Sequence, residues 1–319
     1  MERRNLDGTD LEVSPICLGT MQFGWTADEP ASVAVMDAFF AAGGNFLDTA
    51  DVYSSWAPGN PGGVAESIIG RWLKARGNRD RIVVATKVRQ RMWDGPDGEG
   101  LGRAHIMRAV DDSLRRLQIE TIDLYQCHWP DVDTPIEETL SAFDELVRAG
   151  KVRYVGASNY SAAQVEEALR VADAKPLPRF VSLQPRYNLA HRSEFEGPLA
   201  DLCLREGIAV IPYSPLQGGF LTGKYRRGQP LPQSVRAATA KRYGTETGWR
   251  VIEALDAIAG AHETTVGAVA IAWLLAKPTV TAPIIGANSP AQLAETLPGA
   301  DLRLAPYEIA SLDAVSAGM

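Results

Sequence analysis

Cysteine is scarce: Cys17, Cys127 and Cys203 are the only three in 319 residues. An odd number at spacings without ligand logic excludes a disulfide framework and a zinc site, and no other metal site is expected. Cys127 and Cys203 sit in apolar runs and read as small core side chains. Long hydrophobic runs are also missing, since the longest nearly apolar one, 266–276, is too short to cross a bilayer. The first residues, Met1 to Asp7, carry charge with no apolar stretch behind them, so a signal peptide is not expected and a cytoplasmic protein is. Charge of one sign is lacking too: the formal net charge is −7 and the basic residues are scattered. That excludes an electrostatic footprint for nucleic acid. No repeat, linker or composition break interrupts residues 1–319, which read as one domain with no membrane or nucleic-acid partner. Nothing in the sequence speaks to oligomeric state.

What is present is a hydrophobic fraction of 45%, ample for a large core. A hairpin is predicted from 3–6 and 11–13 around a turn at Asp7-Gly8-Thr9. Eight apolar runs then read as strands: 16–19, 45–49, 82–87, 123–128, 152–157, 180–183, 209–213 and 281–285. They are apolar nearly throughout, as parallel strands covered on both faces are. Helical patterns fall between and after them, at 32–42, 65–75, 104–117, 136–149, 162–172, 198–206, 249–261, 266–276 and 290–296. Ser161 precedes one of these helices, Pro290 opens another, and Gly43 and Gly150 follow two more. Strand then helix, repeated eight times, reads as a (β/α)8 barrel, although an open doubly wound sheet would give the same alternation. The loops 54–63, 90–102 and 217–240 follow strands, on the side where a barrel places its site.

Charge appears where the strands end. Asp48, Lys87 and His128 close three consecutive apolar runs, and Tyr53 opens the loop after the first. Each alone has an ordinary reading: a turn former, a solvated lysine, a hydrogen-bonded core histidine, a surface tyrosine. In a barrel, however, strand ends converge on one mouth, and the four can meet there.

The segments carrying them resemble the signatures of the aldo-keto reductase superfamily. They are Leu47-Asp48-Thr49-Ala50-Asp51-Val52-Tyr53, Ala85-Thr86-Lys87-Val88, and the run from Ile122 through His128 to Asp131. The resemblance continues through Val155-Gly156-Ala157-Ser158-Asn159, Leu183-Gln184-Pro185, Pro212-Tyr213-Ser214-Pro215-Leu216 and Leu221-Thr222-Gly223-Lys224-Tyr225. It implies the (β/α)8 barrel and a nicotinamide cofactor. It implies too that Tyr53 protonates a carbonyl oxygen while hydride reaches the carbon, with Lys87 making the phenol a stronger acid. Asp48 would hold Lys87 charged, and His128 would orient the carbonyl.

For the cofactor the resemblance implies Gly19, Thr20 and Met21 at the first strand end, Ser158, Asn159 and Gln184 on the carboxamide, and Tyr213 stacked on the nicotinamide. Backbone around Ser214, Leu216, Gly218 and Gly219 would meet the pyrophosphate, where side chains would obstruct. Gly218 to Lys224 also fits a phosphate-loop pattern, but Tyr225 replaces the Ser or Thr that would hold magnesium, so a triphosphatase is rejected. At the adenosine end, Gly286, Asn288 and Gln292 stand where many relatives carry basic residues for a 2′-phosphate, with Glu295 beside them. Lys224 and Arg236, with Lys241 or Arg242, could supply that charge instead. The expectation is NADPH/NADP+, with NADH as the alternative. Trp25, Trp56, Trp93 and Trp129 follow strands and are expected to line the pocket, whereas Trp72, Trp249 and Trp273 lie on helices as packing residues. The predicted partner is a small carbonyl compound: a sugar, an aromatic aldehyde or a bulky ketone. The rival function is a cofactor-binding regulatory or scaffold subunit of the channel β-subunit type. A third, a barrel hydrolase, aldolase or isomerase, would make Lys87 a Schiff-base nucleophile.

Overall fold

The computed structural model describes residues 1–230 and 237–319. Two short strands, β1 (Arg4–Asn5) and β2 (Glu12–Val13), pair antiparallel as the first hairpin. Eight parallel strands follow: β3 (Cys17–Gly19), β4 (Phe46–Asp48), β5 (Val83–Val88), β6 (Ile122–Cys127), β7 (Val152–Ser158), β8 (Phe180–Gln184), β9 (Ala209–Val210) and β10 (Ile284–Ile285). They lie in the order β10-β3-β4-β5-β6-β7-β8-β9. The sheet closes on itself where Val210 bridges Val280 and the Ile284 N–H donates to the Pro212 carbonyl at 2.9 Å. This is the (β/α)8 barrel.

Helices alternate with the strands outside it: α1 (Glu29–Ala41), α2 (Val64–Arg76), α3 (Arg103–Leu117), α4 (Ile136–Arg148), α5 (Ala162–Ala174), α6 (Pro198–Glu206), α7 (Ala237–Tyr243), α8 (Glu246–Ala261), α9 (Val266–Leu275), α10 (Pro290–Ala294) and α11 (Pro306–Val315). Local chemistry sets their ends. Ser161 accepts from the Gln164 N–H in a capping box at the start of α5, Pro290 opens α10, and Gly43 and Gly150 take positive φ after α1 and α4. The seventh and eighth strands are shorter than the sequence predicts, and α7 and α11 are additions to it, α7 beginning inside the expected 217–240 loop. Among the described residues no single helix is long and apolar enough to cross a membrane, and α8 and α9 meet at a 96° bend.

The period of two along each strand sorts the side chains into two cores. Inside the barrel Cys17, Phe46, Val83, Ala85 and Leu124 pack on Leu6, Leu11 and Val13, so the hairpin plugs the N-terminal end. Outward residues such as Leu47, Val84 and Tyr125 join the larger core beneath the helices. Continuing the inward set one step further reaches Asp48, Lys87 and Gln126 at the open end.

Candidate active site

The mouth is built from strand ends, and the polar residues that interrupt the apolar runs meet there. Lys87 is fully buried. Its ammonium has three donors and uses all three: Asp48 Oδ1 at 2.5 Å, the Thr49 carbonyl at 2.9 Å and the Tyr53 hydroxyl at 2.9 Å. The second oxygen of Asp48 accepts from Gln184 Nε2 at 2.9 Å and Gln126 Nε2 at 3.3 Å. The Tyr53 ring meets His128 edge-on at 5.8 Å between centroids. All four charged or aromatic residues picked from strand ends are therefore brought together. Gln126 is a further member, which a neutral amide inside an apolar strand signals only weakly.

Electrostatics assign their states. Burial works against the Lys87 charge, but Asp48 and Tyr53 outweigh it and its pKa rises. Burial, reinforced by Lys87 and Arg89, pushes His128 down to about 3, so the imidazole is neutral. Tyr53 is pushed up to about 12, chiefly by burial, with Lys87 pulling the other way. The expected acidifying effect of Lys87 is present but is outweighed by burial. A cation with every donor engaged and a raised pKa is a poor amine nucleophile, which argues against Schiff-base chemistry at Lys87.

Above these residues opens a cavity of about 1280 Å³ that runs from Trp129 and His128 to Gln292 and Glu295. It exceeds the usual roughly 300–1,000 Å³ of small-ligand pockets and suits an extended ligand. Gly19, Met21, Ser158, Asn159, Gln184, Tyr213, Ser214, Leu216, Gly218, Gly219, Lys224, Gly286, Asn288, Gln292 and Glu295 all line it. Thr20 does not: it is buried, and its hydroxyl donates to the Asp48 carbonyl at 3.0 Å, holding the strand end rather than the ligand. Arg236 lies outside the described residues.

Several features fit a nicotinamide dinucleotide. Gly218 and Gly219 have φ of 61° and 89°, a left-handed backbone that glycine takes without strain, and the chain lines the cavity there without a side chain. A Cβ on Gly286 would stand 1.9 Å from Gln22 Nε2, so the chain is stripped of side chain where two walls approach. Gln22 Oε1, Gln217 Nε2 and His128 Nδ1 are buried with no partner among the described residues. Asn159 donates to the His128 carbonyl and accepts from the Tyr213 hydroxyl, both at 2.9 Å, which fixes the amide and the aromatic face together. At the far end Lys224 is the cation among the described lining residues, and Glu295 is a carboxylate opposite in sign to it.

The tryptophans divide. Trp56 and Trp129 line the mouth and remain 46% and 43% exposed. Trp25 stands edge-on to Trp56 at 5.6 Å, behind the wall rather than on it. Trp93 does not reach the cavity, because it is sandwiched between the His105 ring at 4.7 Å and the Arg108 guanidinium at 4.1 Å. Pinning of the 90–102 loop is its role. Trp72 and Trp273 are buried on helices, as their periodicity predicts.

Four non-glycine residues after the strands have left-handed backbone: Arg89 (φ 141°) and Asn159 (φ 63°) directly follow β5 and β7, and Ser54 (φ 71°) and Ser214 (φ 54°) lie in the loops beyond β4 and β9. Side chains rarely adopt this region, and such positions concentrate where a site dictates the backbone. At Ser54 the hydroxyl compensates by donating to the Phe23 carbonyl at 2.7 Å.

Comparison with known proteins agrees with this geometry. The chain is 37% identical over 310 residues to the uncharacterized oxidoreductase YrpG of Bacillus subtilis, covering 95% of this chain and 92% of that protein. It is 34% identical over 327 residues to a probable voltage-gated potassium channel subunit beta of Oryza sativa, covering 99% and 96%. An aryl-alcohol dehydrogenase [NADP(+)] of Phanerodontia chrysosporium is 33% identical over 337 residues, covering 98% and 84%. The family model described as aldo/keto reductase matches residues 15–317. With the barrel closed, the tetrad assembled and the match spanning the chain, this protein belongs to the aldo/keto reductase family, whose members use nicotinamide cofactors.

Proposed function

We propose that the protein is an NADPH-dependent reductase of aldehydes or ketones, with Tyr53 as proton donor. The observation that carries this is the Tyr53 hydroxyl at the floor of the cavity, bonded to a fully buried Lys87 at 2.9 Å. Hydride for the carbonyl carbon is what a reduced nicotinamide supplies when bound. The phenol keeps its proton at neutral pH and releases it only as negative charge grows on the carbonyl oxygen, when the adjacent ammonium stabilises the phenolate left behind. His128, neutral, donates to or orients the same oxygen without competing for charge. Asp48 keeps Lys87 charged and aimed, and Gln126 and Gln184 hold Asp48 in turn. Ser158, Asn159 and Gln184 would hold the carboxamide, and Tyr213 would stack on the ring.

Trp56 and Trp129 supply flat apolar walls at the entrance, and Lys224 is the one lysine or arginine among the described lining residues. Aromatic or bulky neutral carbonyls are therefore the substrates of choice, with sugars able to stack on the same rings. Lys224 supplies the counter-charge for a 2′-phosphate. NADH is accepted as well, more weakly, because Gly286, Asn288 and Gln292 bring no charge. The similarity to a channel subunit beta supports a second reading, a cofactor-holding regulatory subunit with little turnover. A panel of aryl, bulky and sugar carbonyls assayed with both cofactors separates them. Repeated turnover with a higher kcat/KM for NADPH is expected; a single slow turnover favours the regulator, and a strong NADH preference removes Lys224 from its role.

A further inference from the structure

On the outer side of the barrel wall, beneath the loop that carries Tyr53, three ionisable side chains are enclosed between strands and helices. Glu66, in the first turn of α2, is fully buried. One of its oxygens accepts from the Thr86 hydroxyl and the other from Arg116 Nε, each at 2.6 Å. Arg116 reaches it from the end of α3, where its Nη2 also donates to Ser113 Oγ at 3.2 Å. Asp51 is fully buried in the same region; no side chain donates to either of its oxygens, and the backbone N–H of Val52 is too weakly placed to offset burial. Within electrostatic reach of it are Glu66 from α2, Arg116 from α3 and Lys87 from β5. Tyr125 of β6 also interacts with it, and the Tyr125 hydroxyl is likewise buried without a partner among the described residues.

Two carboxyl groups thus share one guanidinium, and the geometry gives it to Glu66. An unpaired carboxylate in a dry interior costs several kcal/mol, a penalty that keeping its proton removes. Burial, and then Glu66, pushes the Asp51 carboxyl well above the usual carboxylate range. Asp51 is also two residues from Tyr53, and its backbone N–H points at the Lys87 carbonyl at 3.4 Å. Ionised, it would add a second negative charge within electrostatic reach of Lys87, the cation that must stabilise the Tyr53 phenolate.

We propose that Asp51 is a resident neutral acid, kept protonated because Arg116 is committed to Glu66, and that its neutrality reserves the charge of Lys87 for Tyr53 and Asp48. The protonation state stands by itself; the benefit to Lys87 rests on the proton-donor reading of Tyr53. Asp51 is in this sense a positioning residue, acting through Lys87 and touching no substrate.

Infrared difference spectra of the full chain at neutral pH, wild type against Asp51→Asn, test the first half. A protonated-carboxyl C=O band present in the wild type and absent from the variant is expected; loss of a carboxylate band instead overturns the proposal. Glu66→Gln frees Arg116 for Asp51, so the acid band should vanish there, and its persistence overturns the role given to Arg116. For the second half, Asp51→Asn should keep kcat within about twofold. Glu66→Gln should lower kcat about tenfold at unchanged carbonyl KM, with the alkaline limb of kcat moved to higher pH, the signature of about one unit on the donor. A tenfold loss in Asp51→Asn, or a Glu66→Gln effect on thermal stability alone, overturns that half. A wild type without carbonyl turnover would sink the reading of Tyr53 while the infrared result still decides the protonation.

Discussion

Successive residues of β5 lead into two different charge clusters. Lys87 faces inward to Asp48 and Tyr53; Thr86 faces outward to Glu66, which Arg116 holds. Both clusters contain fully buried groups and both rest on a cation–carboxylate pair of 2.5–2.6 Å. They differ in what the pair is next to. The inner ammonium spends a donor on a phenol that opens to a large cavity, whereas the outer guanidinium lies under helices with a spare carboxyl that meets no ligand. Burial and charge are thus shared by both, and access to a cavity decides which cluster can do chemistry. The same contrast explains why a buried ion pair by itself is weak ground for assigning a site.

The comparison can be broken most sharply at Tyr53. Tyr53→Phe should lower kcat by about 10²–10⁴-fold, the usual contribution of a positioned acid, with the melting temperature unmoved. A loss below tenfold, measured against the best carbonyl of the panel, would falsify the inner cluster as the proton source. Next in size is Lys87→Met, which leaves Asp48 buried without its counter-ion. A cost of about 3–5 kcal/mol in denaturant unfolding should accompany the loss of turnover, so here stability and chemistry fall together. If unfolding is unaffected, the pair is not the anchor described.

The smallest effect sharpens the outer side. A carboxyl whose folded pKa is raised retains a proton that the unfolded chain has released, so its stabilising share is complete below the usual Asp value of 3.8 and is lost as pH rises toward the folded value. Asp51→Asn has nothing to lose in that window. Its melting temperature relative to wild type should therefore climb with pH from about 4 upward, and a relative fall would mean that Asp51 is ionised.

The barrel and the inner cluster are legible in the sequence because charge is conspicuous in an apolar strand. Asp48, Lys87 and His128 stand out by breaking a pattern, and the period of two then tells which way they face. Glu66 and Arg116 give no such signal. They sit in amphipathic helices where charge is the ordinary filling, and Arg116 follows an equally charged but exposed Arg115. Asp51 lies within a recognised motif, yet its isolation depends on three elements distant in sequence. The position of Trp93 after a strand predicts a place in the pocket, but the path of a long loop is set by what it stacks on. The helix α11 escaped because its short, weakly patterned sequence is held by tertiary partners, such as the Asp313 carboxylate that accepts from Trp273 Nε1 at 2.9 Å and from Lys277 at 2.6 Å.

The left-handed residues at the mouth have a consequence for anyone who would graft new loops onto this scaffold. Arg89 and Asn159, each directly after its strand, are the hinges at which strand direction becomes loop direction. A transplanted loop that arrives with valine or isoleucine at a hinge would leave on another trajectory, since branched side chains resist that backbone. Exchange should therefore be cut after the hinge rather than at the strand end, so that each pivot stays with the barrel and only the loop beyond it changes hands.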